Sequence, residues 1–151
     1  MAITSWILAI NKAGAKIYER KSRIDQLRLV TDIPNSDGRL QNREIGSDKP
    51  GRSNASTSRS RHSYSSEVDP KEQVVEKFTR EVADMLDHES YFETFDELVV
   101  IAEPGLLGTL RKKLTKRLEE KVSTTIQLDL GYLTENELVR RIEKELEDAR
   151  P

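Results

Sequence analysis

The chain has 151 residues, with 25 Lys and Arg against 27 Asp and Glu and a formal net charge of −2, which excludes a uniformly basic nucleic-acid coat. Hydrophobic residues make up 35% and charged residues 34%; the apolar ones fall in periodic blocks, so a single folded domain over 1–151 with one disordered stretch is expected. The absence of cysteine removes disulfide scaffolds, zinc–thiolate sites and cysteine nucleophiles together, and two histidines, His62 and His88, leave no multi-histidine metal site.

In chain order, the first apolar run, from Ile3 to Ile10, is far shorter than the roughly 20 residues of a spanning helix. Ala13-Gly14-Ala15 has the look of a leader-cleavage site. No Lys or Arg precedes the run, however, and Lys12 sits where cleavage would fall. A strand over Ser5–Ile10 and a cytoplasmic protein without a membrane segment are expected. Asn54-Ala55-Ser56 is then an accidental glycosylation sequon. Asn11 to Gly14 supplies a turn, with Gly14 tolerating positive φ. Ala15–Arg20 alternates Ala15, Ile17 and Glu19 against Lys16, Tyr18 and Arg20, the pattern of a returning strand. Leu27–Asp32 reads as a third strand with Leu27, Leu29 and Thr31 on one face.

Between 33 and 68 the apolar pattern stops. Residues 53–66 hold seven serines and one threonine. A structureless stretch of this length is usually functional or disordered. Its 39–62 portion carries Arg39, Arg43, Lys49, Arg52, Arg59 and Arg61 against Glu44 and Asp48. Residues 1–66 hold 12 cations and 6 anions, whereas 67–151 hold 13 and 21. The asymmetry reads either as an anionic partner for the first half or as unevenly solvated surface.

Asp69, Pro70 and Glu72 form a helix start with a capping box. Val74, Val75, Phe78, Val82, Met85 and Leu86 continue it at helical spacing, predicting a helix over 70–88. Leu98–Ala102 is uninterruptedly apolar, as a strand covered on both faces is. Glu103-Pro104-Gly105 opens a second helix with Leu106, Leu107, Leu110, Leu114 and Leu118 as its stripe. Arg111, Lys112, Lys113, Lys116, Arg117 and Lys121 lie on its outer side. Val122–Leu128 is rich in β-branched residues and reads as a strand. Thr134 and Glu137 cap a last helix over 135–148. The whole predicts an α/β fold: one mixed sheet of about five strands with three helices, in the order βββ–long loop–αβαβα.

Few patterns carry catalytic chemistry. His62 lies in the basic stretch and His88 at a helix end, where a cation suits the dipole; no nucleophile-elbow context surrounds any serine. Glu81, Asp84 and Asp87 have the spacing of a solvated helix face. Asp32, Glu103 and Asp129 all fall near strand ends, where a two-metal nuclease or phosphatase would need acids. Gly105 and Gly108 flank a helix start that suits either a phosphate or a tight turn, but the phosphate-loop Lys-Ser/Thr is missing. No cofactor is expected. Arginine interleaved with serine and Tyr64 suits a segment that tracks a nucleic-acid backbone and orders on binding. The expected site is therefore Arg43, Lys49, Arg52, Arg59 and Arg61, with ribosomal RNA or tRNA as partner. The second helix's cations either enlarge that surface or form a solvated face.

Glu44-Ile45-Gly46-Ser47-Asp48-Lys49-Pro50-Gly51-Arg52-Ser53 resembles a signature of a small bacterial family named for host attachment ("protein required for attachment to host cells"). Phe78–Ala83, Leu98–Pro104, Leu107–Arg111 and Asp129-Leu130 extend the resemblance over nearly the whole chain. The resemblance implies a fold like the central domain of the class-1 release factors of archaea and eukaryotes. In that domain a long loop between the third strand and the first helix carries a Gly-Gly-Gln tripeptide that promotes peptidyl-tRNA hydrolysis. Here Pro50-Gly51-Arg52-Ser53-Asn54 leads into Ala55-Ser56-Thr57 and no Gly-Gly-Gln occurs, so the hydrolytic role is not carried over. A non-enzymatic module contacting RNA or the ribosome is the resulting expectation. Its alternatives are attachment through a surface or protein partner and metal-dependent hydrolysis.

Overall fold

The computed structural model describes residues 3–22, 25–35, 70–130 and 133–149. A single five-stranded sheet runs in the order β3-β2-β1-β4-β5. Its strands are β1 (Ser5–Asn11), β2 (Gly14–Arg20), β3 (Arg28–Pro34), β4 (Glu97–Ala102) and β5 (Val122–Gln127). The hairpin neighbours β1–β2–β3 are antiparallel, and β4 lies parallel to both β1 and β5. The helices are α1 (Pro70–Tyr91), α2 (Pro104–Arg111), α3 (Lys116–Lys121) and α4 (Glu135–Asp148). Among the described residues no helix is long and apolar enough to cross a membrane.

Strand alternation sorts the core into two layers. Trp6, Leu8, Ile10, Ala15, Ile17, Leu98 and Val100 face α1, α2 and α3, meeting Phe78, Val82, Leu86, Leu107, Leu110 and Leu118. Ile7, Ala9, Tyr18, Val99 and Ile101 face the other way, onto Leu138, Ile142 and Leu146 of α4. The unbroken apolar runs of β1 and β4 follow from this double coverage.

The β1–β2 turn differs from expectation in its cause. No described glycine has positive φ. Asn11 closes the turn instead, its Oδ1 accepting from the backbone N–H of Ala13 (2.7 Å) and Gly14 (3.2 Å). Gly14 is required by close approach: a Cβ there would lie 2.8 Å from the Ile33 carbonyl oxygen. The third strand continues past Asp32 to Pro34, so Ile33 belongs to the sheet rather than to the expected loop. The β2–β3 register shifts between Ile17, opposite Thr31, and Tyr18, opposite Leu29. Val30 is thus a bulged residue. The bulge turns Val30 and Ile33 toward the first layer and separates Leu29, which is 43% exposed, from the face it was expected to share with Thr31.

Helix α1 runs to Tyr91, three residues beyond the expected end at 88. It stops in a left-handed residue, Glu93 (φ 55°), where glycine is the usual choice. The Glu93 and Thr94 N–H groups donate to the Ser90 and Glu89 carbonyls, capturing two of the helix's last acceptors. The capping residue expected at Asp69 lies outside the described residues.

The expected second helix is two helices, so four are described rather than three. Thr115 takes an extended backbone conformation and caps α3, its Oγ1 accepting from the Leu118 N–H at 3.2 Å. The same hydroxyl donates to the Asp87 carboxylate of α1. A helix interior cannot accommodate that backbone conformation, so the leucine stripe bends at this point. Helix α4 agrees with expectation over 135–148, capping box included.

Candidate functional site

The carboxyl ends of β1, β4 and β5 lie at one end of the sheet, and β3 ends there too, because Pro34 pairs with Gly14. Helix α1 ends beside the start of β4, where Asp96 N–H donates to the Thr4 carbonyl at 2.8 Å. Its first turn therefore lies toward the carboxyl end. In open α/β sheets this is the end at which ligands bind. The expected binding residues Arg43, Lys49, Arg52, Arg59 and Arg61, together with His62, fall in the sequence between these two anchors and lie outside the described residues.

The anchor on the strand side is held firmly. Asn35 is 4% exposed. Its backbone N–H donates to the Ala13 carbonyl at 2.9 Å and its Nδ2 donates to the Lys12 carbonyl at 3.0 Å. The end of β3 is thereby fixed against the β1–β2 turn.

Beside it lies a polar cluster. Lys16 Nζ donates to Glu135 (2.8 Å) and Asp32 (3.3 Å), and the Tyr18 hydroxyl donates to Glu135 at 2.7 Å. The hydrogen bond to Glu135 raises the Lys16 pKa despite burial. Hydrogen bonds from Lys16 and Tyr18 lower that of Glu135. Burial, then the Glu135 hydrogen bond, raises that of Tyr18. The cluster stabilises a charged Lys16, a charged Glu135 and a neutral phenol. A small cavity of about 180 Å³ adjoins it, between Asn11, Lys16 and Asp32.

The acids considered for metal binding are engaged differently. Asp32 pairs with Lys16. Glu103 accepts from the Leu106 N–H at 2.8 Å and so fills the start of α2, where a phosphate would sit. Among the described residues no group of three His, Asp or Glu side chains is gathered to hold a metal.

The cations of α2 and α3 are largely used within the fold. Arg111 donates to the Thr125 hydroxyl at 2.9 Å. Lys113 pairs with Glu76 of α1 at 3.3 Å. Arg117 pairs with Asp87 at 3.5 Å and lies 5.1 Å from the centre of the Tyr91 ring. Lys121 donates to the Phe95 carbonyl at 3.4 Å. These contacts tie the two short helices to α1 and to the sheet, leaving Lys112 and Lys116 as the cations that point outward without an ion pair among the described residues.

A second constellation, which the sequence reading missed, occupies the opposite face of β2. Glu19 is 8% exposed. It accepts from Trp6 Nε1 at 3.0 Å and from the Arg28 guanidinium. Burial pushes its carboxyl up, but the hydrogen bonds from Trp6 and Arg28 and the charges of Arg28 and Lys21 outweigh that and hold it low. The signal was present in the hairpin. A two-residue turn that pairs Asn11 with Gly14 also places Trp6 opposite Glu19.

The family model for "protein required for attachment to host cells" matches residues 6–142. The chain belongs to this family. No curated protein matches this family member. Among solved structures it is similar to an archaeal protein, at 10% identity and a TM-score of 0.45 over 96% of this chain and 38% of that one. It is also similar to an archaeal translation termination factor, aRF1, at 10% identity and a TM-score of 0.44 over 96% of this chain and 39% of that one. The host-attachment chain thus spans under two-fifths of the length of either. The release-factor likeness implied by the sequence is present at this distant level and assigns no activity.

Proposed function

We propose that this host-attachment family member is a non-enzymatic cytoplasmic binding module that grips ribosomal RNA or tRNA. The contacts are made by Lys49, Arg52, Arg59 and Arg61, with Arg43 beside them. One observation supports the reading above others. The stretch holding all five cations is anchored at the carboxyl end of the sheet, by Asn35 on one side and by the first turn of α1 on the other. Arginines launched from a fixed point neutralise phosphates without a preformed pocket, and affinity then falls steeply with salt. The test is ribosome co-sedimentation of R52E/R59E/R61E beside the unaltered protein at low and moderate salt. Loss of co-sedimentation in the variant is expected; equal co-sedimentation of the two overturns the reading.

The family description favours a second reading, in which the protein promotes attachment to host cells, through a surface or a partner-protein interaction. Fractionation separates the two. Protein on the outer surface of intact cells supports attachment, whereas a pulldown that collapses on ribonuclease treatment supports RNA.

A further inference from the structure

A groove of about 650 Å³ lies between the edge strand β3 and helix α1. It exists because α1 sits over β1 and β4, leaving the first-layer face of β3 only partly covered. Trp6 and Glu19 form its floor, Val30 and Ile33 one wall, and Val82 and Met85 the other. The size is that of a small-molecule site, and so is the mostly apolar lining with a few placed polar groups.

We infer that this groove binds a compact apolar organic cation, an ammonium group carried on a hydrocarbon or aromatic body. Charge decides the sign of the ligand. The buried Glu19 is neutralised by Arg28. Two further carboxylates, Glu81 and Glu89, rise on the same ridge of α1 on either side of Met85, spaced i, i+4, i+8. Glu89 accepts from the Thr94 hydroxyl at 2.9 Å, and neither carboxylate has an ion-pair partner among the described residues. An apolar trough beneath two uncompensated carboxylates attracts a cation with a hydrophobic body and repels an anion. The methionine between them adapts to the shape of the guest.

The shape argues for a compact guest over a peptide strand. A peptide would have to extend the sheet at β3, but the bulge at Val30 bends that edge and Pro34 offers no N–H.

Trp6 is the only tryptophan, so its emission reports on the groove floor. The probes are octyltrimethylammonium, octyl glucoside and octyl sulfate, which share a tail and differ in charge, each used below its micelle concentration. The cation should give a saturable change in Trp6 emission and bind roughly tenfold more tightly than the sulfate. E81Q/E89Q should erase that preference and keep the glucoside's affinity. V30F, which fills the groove, should abolish binding of all three while circular dichroism stays unchanged. Equal affinity for cation and anion, an unaltered preference in E81Q/E89Q, or no saturable signal overturns the inference. If V30F does not fold, methyl chemical shifts of the unaltered protein decide. Shifts at Val30, Ile33, Val82 and Met85 support the site, and shifts confined elsewhere overturn it.

Discussion

Strand β2 carries polar side chains on both faces, and each face accommodates them differently. On the α4 side, Lys16 and Tyr18 meet Glu135 from the first turn of the helix. The polar atoms are paired by an element that also covers the layer, so the corner is closed. On the α1 side, Glu19 is paired within the sheet, by Trp6 of β1 and Arg28 of β3. No helix is needed to satisfy it, and α1 covers β3 only partly there. The face packed by three helices therefore keeps a groove of about 650 Å³, while the face packed by α4 alone keeps a cavity of about 180 Å³ beside its polar latch. Buried polar groups are costly when unpaired, and where the partner comes from determines which surface stays open.

The comparison is broken most severely by emptying the larger layer. Phe95 is fully buried and stacks on Trp6 with ring centres 4.8 Å apart. Phe95→Ala should destabilise the protein by about 3–5 kcal/mol in urea unfolding and should loosen Trp6 over Glu19. A cost below about 1 kcal/mol would show that the groove floor is not part of the core.

Next in size is the Trp6 donor. Trp6→Phe keeps an aromatic ring but removes the N–H that Glu19 accepts, leaving the largely buried carboxylate to Arg28. A loss of about 1–3 kcal/mol is expected. The Glu19 pKa should also rise, because a bond that favours the charged form is gone. Carboxyl titration by NMR reads this directly, and an unmoved Glu19 would mean that Arg28 and Lys21 set its charge state without Trp6.

What was legible in the sequence divides along similar lines. β1, β4 and the capped α4 were readable because period and capping chemistry are local signals. Three features were not. The break between α2 and α3 preserves the leucine spacing and depends on Thr115 reaching Asp87 of another helix. The β3 register depends on a bulge that alternation alone does not reveal. The latch joins Lys16 to Glu135 across 119 residues, which requires knowing where α4 crosses the sheet. The Glu19 pair was recoverable, since hairpin register follows from the turn. The arginine-bearing stretch was legible in composition, and the five cations expected to bind lie outside the described residues.

Smaller effects separate the latched face from the open one. Thr134 accepts from the Glu137 N–H at 3.3 Å while Glu137 accepts from the Thr134 N–H at 2.9 Å. Thr134→Ala removes one half of that box and should cost about 1 kcal/mol. Hydrogen exchange should quicken in the first turn of α4 and leave α1 unchanged. Faster exchange spread evenly over both helices would mean that α4 is not an independently held element.

Glu135→Gln is expected to have the smallest effect and the most informative pH dependence. The Lys16 and Glu135 side chains are 30% and 48% exposed, so solvent screens the pair and the loss at neutral pH should stay below about 1 kcal/mol. Because Glu135 is held below its ordinary range, its contribution is present above the unfolded carboxyl pKa of about 4.3 and disappears as pH falls through the folded value. Lys16 is raised, so its contribution is intact below about 10.4 and is lost as pH climbs through its folded value. The stability gap between the native protein and the variant should therefore be flat across neutral pH and shrink in acid, where a protonated Glu135 resembles glutamine. A gap as wide in acid as at neutral pH would show that the substituted amide disturbs packing and that the charge does not hold the latch. The two faces of β2 would then differ only in how many helices cover them.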